Sequence, residues 1–189
     1  MRKRAFRLSL LAALLVFMSG DVAFLTPQSA ATPRRAHKVP VSTGAFLLPR
    51  ILEARRETWR WQELMGIRPT RSVQAAEQAR SLAYRRWVLH LWRRRARRAS
   101  YRAHHFPRLQ AWLCIHRYEG AWNDPNPPYY GGLQMDIGFQ RLYGGDLLRR
   151  KGTADRWTPL EQMWVAERAY RSGRGFYPWP NTARYCGLI

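Results

Sequence analysis

Three prolines within four residues, Pro125, Pro127 and Pro128, constrain the folding of this chain more than any other feature. Proline has no amide hydrogen and a fixed backbone φ, so neither a continuous helix nor a central strand can pass through this segment. A helical pattern precedes the prolines and ends at Gly120, a natural C-terminal cap. Residues 129–135 follow and fit a strand or a hairpin arm. The sequence therefore predicts a helix, a loop and an extended segment in succession.

Positive charge is concentrated in the N-terminal half. The 189 residues include 33 Lys and Arg against 12 Asp and Glu, a formal net charge of +21. Residues 109–189 contain ten basic and seven acidic side chains, whereas residues 1–108 contain 23 basic and five acidic ones. Such an excess of one sign indicates an anionic partner for the N-terminal part.

Residues 1–31 have the pattern of an export signal. Arg2, Lys3 and Arg4 precede an apolar run over residues 8–18, and small residues at 29–31 offer a cleavage site. The run is too short to span a bilayer alone, which takes about 20 apolar residues. We predict a signal peptide over residues 1–31, with an uncleaved N-terminal anchor as the alternative. The protein is then secreted or held at the cell surface.

Residues 32–108 form a basic region of linker and amphipathic helix. The pattern predicts a linker over 32–50, a helix over 51–65 and a second helix capped by Ser72 whose polar positions are mostly arginine. Three interpretations stay open: a stalk whose apolar stripe packs on the rest of the chain, attachment to an anionic cell envelope, or nucleic-acid binding. The export signal favours the envelope over nucleic acid. His104 and His105 have no Cys or carboxylate at zinc spacing, so no metal is predicted.

Residues 109–189 are predicted to form a small α+β domain, mostly helical with a short hairpin. Leu109, Trp112, Leu113 and His116 mark one face of its first helix. Further helical segments are expected over residues 137–143, where Asp136 is the cap and Gly144 and Gly145 mark the end, and from Thr158 to Gly173, which opens with a capping box. The aromatic tail over Phe176–Pro180 is expected to be irregular and leads to Cys186.

Cys114 and Cys186 are the only cysteines. In an exported protein such a pair predicts one disulfide. The bond closes a loop of about 70 residues, worth about 4 kcal/mol in the chain-entropy model, and a domain of about 80 residues often needs such a cross-link.

Glu119 is the candidate acid, because it ends the first helix of this domain. Trp112, Tyr118 and Trp122 lie close to it in the sequence and are expected to shield it from water, as a proton-donating carboxyl requires. Asp124 and Asp136 are the other candidate carboxylates. We assign Asp124 to a turn and Asp136 to a helix cap, which leaves Glu119 as the one carboxylate for catalysis.

Glu119, Asn123 and the string Tyr129-Tyr130-Gly131-Gly132-Leu133-Gln134 together resemble the active-site signature of the resuscitation-promoting factors of actinobacteria. This family is a transglycosylase-like branch of the lysozyme superfamily, and the similarity covers residues 109–189. It implies a lysozyme-like domain that cleaves the MurNAc-β-1,4-GlcNAc bond of peptidoglycan with Glu119 as the catalytic residue. The expected substrate-binding residues are Asn123, Tyr130, Gln134, Trp122 and Trp179, with no cofactor, metal or obligate oligomer.

The chain departs from the family pattern on both sides of Glu119. Gly120 stands where the family usually has serine, and Tyr118 stands where it usually has cysteine. Hydrolysis and anhydro-product formation both remain open. The alternative functions are a wall-binding protein without turnover, and a cationic envelope- or nucleic-acid-binding protein that carries residues 109–189 as a passenger.

Overall fold

The structure is a computed structural model that describes residues 46–189. The predicted signal peptide and most of the predicted linker lie outside the described residues. Helices dominate the described chain, together with one two-stranded antiparallel hairpin, so the prediction of a mostly helical α+β fold is confirmed. Within residues 46–189, no helix is long and apolar enough to cross a membrane.

Two long helices make up the N-terminal half of the described chain. Helix α1 spans Leu47–Leu64, a short helix α2 spans Gln74–Glu77, and α3 spans Leu82–His104. The prediction placed the start of α1 at residue 51, which was wrong. Pro49 fits the first turn of α1 because amides there have no intrahelical acceptor.

Helix α3 begins nine residues later than predicted. Its cap is Ser81, whose hydroxyl accepts from the Tyr84 N–H, and not Ser72. The intervening chain is held along α1, because Arg55 pairs with the buried Glu77 at 2.6 Å and its guanidinium also reaches the Ser72 hydroxyl. These contacts fold residues 74–77 into a separate turn.

Helices α1 and α3 run in the same direction. The connection returns alongside α1, where the Trp59 indole N–H donates to the Thr70 carbonyl at 2.8 Å. As a result, the first turns of the two helices pack together and the end of α1 contacts the end of α3, where Trp61 meets His104 edge-on at 4.9 Å. The apolar stripe of α3 therefore packs on α1, through a cluster of Leu47, Ile51, Ala54, Val88, Leu89 and Trp92.

The C-terminal half contains four helices and the hairpin. Helix α4 spans Leu109–Glu119 and is followed by strands β1 (Tyr129–Tyr130) and β2 (Met135–Asp136). Tyr129 pairs with Asp136 and Tyr130 with Met135. The remaining elements are α5 (Ile137–Lys151), a 3-10 turn (Ala154–Arg156), α6 (Pro159–Ala169), a π-turn (Tyr170–Arg174) and α7 (Pro180–Tyr185).

Two of three local predictions for this half were wrong. Helix α5 does not end at Gly144 but continues to Lys151, with a kink where Gly144 leaves helical geometry to accommodate the Trp157 ring. The aromatic tail is irregular from Phe176 to Trp179 as predicted, and Pro180 opens the short helix α7. Leu113 is partly exposed, since the buried side of α4 is centred on Trp112 and Ile115.

Helix α6 lies at the centre of the core. Its capping box forms as predicted between Thr158 and Glu161, and most of its residues are buried. Trp112, Phe176 and Trp179 form an aromatic group beside it, with ring centroids 5.1 Å apart in two of the pairs. The same core also includes Met65, Ala99, Ala103 and Phe106, which precede the predicted domain boundary at residue 108. The boundary itself stays a prediction.

Candidate active site at the end of helix α4

Glu119 is the last residue of α4 and is half-buried. The hydroxyl of Thr182, a buried residue of α7, donates a hydrogen bond to Oε1 of Glu119. Among residues 46–189, no donor contacts Oε2. One oxygen of the carboxyl is therefore fixed by the protein, while the other is available to a bound molecule.

A disulfide brings α7 to α4. Cys114 and Cys186 are bonded, with their Cα atoms 6.0 Å apart, which confirms the predicted pair. The Cys186 N–H donates to the Thr182 carbonyl at 2.9 Å, so the two residues lie one helical turn apart. The cross-link that fixes Cys186 therefore also holds Thr182 against Glu119.

Gln134 lies beside the end of α4 in a strained conformation. Its backbone φ is 47°, in the left-handed region that few residues other than glycine adopt. Its amide nitrogen donates to Asp124 Oδ2 at 2.9 Å and to the Gly131 carbonyl at 3.0 Å. Within the described chain the amide oxygen has no donor, so it can accept a hydrogen bond from a ligand.

Gly120 allows Gln134 to approach the end of α4. A Cβ atom at Gly120 would lie 3.1 Å from the Gln134 amide nitrogen and 3.5 Å from Asp124 Oδ2. The backbone of Gly120 is extended, with φ 161°, so other residues can adopt it. The departure from the family pattern at this position leaves room for the Gln134 amide where a larger side chain would contact it.

His116, one turn before the end of α4, stacks on Trp122 in the loop that follows the helix. Their ring centroids are 3.9 Å apart and the ring planes differ by 22°. His116 Nδ1 also lies 3.1 Å from the carbonyl oxygen of Gly132 in the hairpin. The pair therefore connects α4, the loop after it and the hairpin.

Gln162 fixes the same loop and hairpin from the core side. Its amide oxygen accepts from the Gly132 N–H at 2.9 Å, and its amide nitrogen donates to the Trp122 carbonyl at 2.7 Å. The same nitrogen also lies within 3.1 Å of the carbonyl oxygens of Ala154 and Trp157. A fully buried amide with partners on both atoms gives the loop and the hairpin a rigid support.

The predicted substrate-binding residues have different environments. Asn123 is exposed, and Trp122 is half-buried in its stack on His116. Tyr130 packs against the core, whereas its neighbour Tyr129 lines a cavity of about 230 Å³ together with Gln134. Their direct contact with substrate stays a prediction.

Trp179 is part of the core. Only 4% of it is exposed, and its indole N–H donates to the Leu133 carbonyl at 2.6 Å. Its ring also forms part of the wall of the 230 Å³ cavity. Trp179 therefore supports the hairpin from the core side. It can contact a substrate only where its ring lines the cavity.

The expected aromatic shield around Glu119 is not formed as predicted. Trp112 is fully buried, and its indole N–H donates to Glu167 at 3.2 Å. Tyr118 is 56% exposed and pairs with Tyr185. Tyr118 points away from Glu119 because consecutive helix positions are turned by about 100°, whereas Trp112 lies about 10 Å earlier along the helix, seven residues before Glu119.

Both additional carboxylates have structural partners. Asp136 caps α5 by accepting from the Phe139 N–H at 2.8 Å, as predicted. Asp124 accepts from the Asn126 N–H at 3.2 Å and from the amide of Gln134 at 2.9 Å. Asp124 therefore orients a candidate substrate-binding side chain in addition to shaping the loop.

Thr182 and Gln162 are contributors to the site that the sequence did not single out, and Asp124, considered there as a second carboxylate, contributes by orienting Gln134. Thr182 was detectable in principle, since Pro180 can open a helix and the predicted disulfide brings Cys186 to α4. Gln162 gave no such signal, because a polar residue on a helix does not indicate which distant carbonyls it will meet.

No family model, curated protein or solved structure matches this chain. The resemblance to resuscitation-promoting factors therefore stays a prediction from the motif.

Proposed function

We propose that the protein cleaves the MurNAc-β-1,4-GlcNAc bond of peptidoglycan outside the cell, with Glu119 as its single catalytic carboxyl. The observation that carries the proposal is the carboxyl of Glu119, whose Oε1 is held by Thr182 while Oε2 has no donor among residues 46–189. The motif resemblance and the lysozyme-like fold that it implies support the same activity.

Glu119 donates its proton to the glycosidic oxygen, and the bond between that oxygen and the anomeric carbon breaks. An oxocarbenium-like centre forms on the MurNAc side. The ionised Glu119 then takes a proton from the attacking nucleophile. Water gives a reducing end, whereas the sugar's own 6-hydroxyl gives an anhydro end.

A mechanism with one carboxylate agrees with the partners of the other two. Asp136 is engaged as a helix cap and Asp124 as an acceptor for Asn126 and Gln134. Neither is needed as a nucleophile when the 6-hydroxyl closes on the anomeric carbon. Gln134 presents its amide oxygen to a hydroxyl or N–H of the glycan.

The decisive variant is Glu119→Gln, which keeps an oxygen for the Thr182 hydroxyl but cannot donate an acid proton. We expect the release of muropeptides from purified peptidoglycan to fall by about 10²–10⁴-fold. Glu53→Gln, at an exposed position of α1, is the matched control and should digest like the wild type. Equal release by all three proteins would refute the catalytic role of Glu119.

Mass spectrometry of the same digest separates the two chemical outcomes, because an anhydro end and a reducing end differ by one water. Binding to insoluble wall, measured in parallel, tests the alternative of a non-catalytic wall-binding protein. That alternative has one specific observation in its favour, the glycine next to Glu119. It predicts retention on the wall without release of fragments by the wild type.

A further inference from the structure

Helix α3 turns a strongly basic face away from its neighbours. Residues 82–104 contain eight arginines and neither aspartate nor glutamate. The apolar side of the helix is buried against α1. Arg94 and Arg98 are exposed on the opposite side, where no acidic side chain of the same helix can neutralise them.

Two aromatic residues stand on this exposed side. Trp87 is 51% exposed and Tyr101 is 62% exposed. Arg94 lies midway, seven residues from each, and seven residues make nearly two helical turns. The three side chains therefore project in nearly the same direction, with the outer two about 21 Å apart along the helix.

Both aromatic rings are braced by a neighbouring ring. Tyr84 stacks on Trp87 with centroids 5.5 Å apart, and His105 stacks on Tyr101 at 3.6 Å. The outward face therefore consists of two supported aromatic groups with arginines between them. We call it the basic face of α3, defined by Trp87, Arg94, Arg98 and Tyr101.

We infer that the basic face of α3 docks on an anionic phospholipid surface. Helices that lie in a membrane interface combine arginine with tryptophan and tyrosine, whose amphipathic rings settle at the level of the headgroups. Each arginine near an anionic leaflet adds about 1 kcal/mol of attraction. Helix α3, with 23 residues, presents these groups on one side, which fits a flat anionic surface.

The same geometry argues against a single-stranded nucleic acid as the partner. Such strands stack successive bases on open aromatic faces along a basic groove. Here each aromatic ring already has one face covered by its neighbour, and the helix surface is convex. The basic face therefore matches a lipid surface better than a nucleotide chain. This inference does not depend on glycan cleavage.

The first test is co-sedimentation of the full chain with phosphatidylcholine vesicles that contain or lack phosphatidylglycerol. We expect binding only to the anionic vesicles. The double variant Arg94→Glu/Arg98→Glu should weaken it by about 30-fold or more, since each arginine contributes about a fivefold factor. The control Arg141→Glu/Arg184→Glu makes the same charge change at exposed positions of other helices and should weaken binding far less.

The second test asks whether Trp87 itself enters the lipid interface, even if other parts of the chain also bind the vesicles. Brominated phosphatidylglycerol quenches tryptophan that enters the interface, and the difference between wild type and Trp87→Phe isolates the Trp87 signal. We expect that difference signal to be quenched. An unquenched Trp87, equal binding by the two double variants, or binding to single-stranded DNA without binding to vesicles would each overturn the inference.

Discussion

Gly132 is a tightly packed position of the candidate site. A Cβ atom there would lie 2.6 Å from His116 Nδ1 and 2.7 Å from a ring carbon of Trp122. The Gly132 N–H also donates to Gln162. The hairpin therefore approaches the stacked His116 and Trp122 rings as closely as it does because this residue has no side chain.

Replacing Gly132 by alanine should lower the free energy of unfolding by about 1–3 kcal/mol, because the added methyl must displace both rings. Gly145→Ala is the matched control, since its nearest neighbour would be 3.6 Å away and it lies within α5. That change should be neutral or stabilising by up to about 1 kcal/mol. Urea denaturation measures both, and equal destabilisation would show that the packing argument is wrong.

Gln134 bears a conformational cost that glycine would avoid. A left-handed backbone costs a non-glycine residue on the order of 1–2 kcal/mol. The surrounding contacts hold the residue there and aim its amide at Asp124 and the end of α4. Such strain is common in residues whose side chain has a function, which agrees with the proposed contact between Gln134 and the glycan.

At the scale of elements, the site depends most on the short helix α7. Its six residues, Pro180–Tyr185, are too few to be stable in isolation. The disulfide at Cys186 and the burial of Thr182 and Ala183 hold it in place. The contact between Thr182 and Glu119 is therefore a property of the cross-linked pair of helices.

The double variant Cys114→Ser/Cys186→Ser should lower the free energy of unfolding by about 4 kcal/mol, because its unfolded chain is no longer cross-linked across 72 residues. Activity on peptidoglycan should also fall, because α7 is no longer cross-linked to α4 and Thr182 loses its contact with Glu119. Thr182→Val is the control that removes the hydroxyl alone and should cost only about 1 kcal/mol. Unchanged stability of the double variant in chemical denaturation would contradict this role.

The elements that could be predicted from the sequence are those with local signals. Asp136 and Thr158 cap their helices through neighbouring amides, and the prolines before the hairpin restrict the chain within a few residues. The start of α3 was misplaced because Glu77 pairs with the distant Arg55. Gln162 was missed as a contributor to the site for the same reason, since its partners lie up to 40 residues away.

At the scale of the whole molecule, Arg168 joins the two halves of the described chain. Its guanidinium donates to the carbonyls of Glu63 and Leu64 at 2.6 and 2.8 Å, and to Tyr143 at 2.8 Å. Burial lowers the pKa of Arg168, while Asp146 and Glu63 act in the opposite direction. A positive charge at the carboxyl end of α1 also complements the helix dipole.

The variant Arg168→Met should lower the free energy of unfolding by about 3 kcal/mol or more, because it leaves three backbone carbonyls without their charged donor. Hydrogen exchange should rise first at the end of α1. Arg156→Met removes an exposed arginine with only a 3.9 Å ion pair and should have little effect. A similar exchange pattern in both variants would show that Arg168 does not join the two halves.

The core shared by the two halves also determines which fragments of the chain can fold on their own. Trp164 of α6 donates its indole N–H to the Ala103 carbonyl at 2.9 Å, and its ring packs edge-on against Phe106 at 4.5 Å. A fragment that starts at residue 109 would expose this ring and leave its N–H without that acceptor. Such a fragment would expose an apolar patch and tend to aggregate, so the folding and solubility of residues 109–189 depend on the helices that precede them.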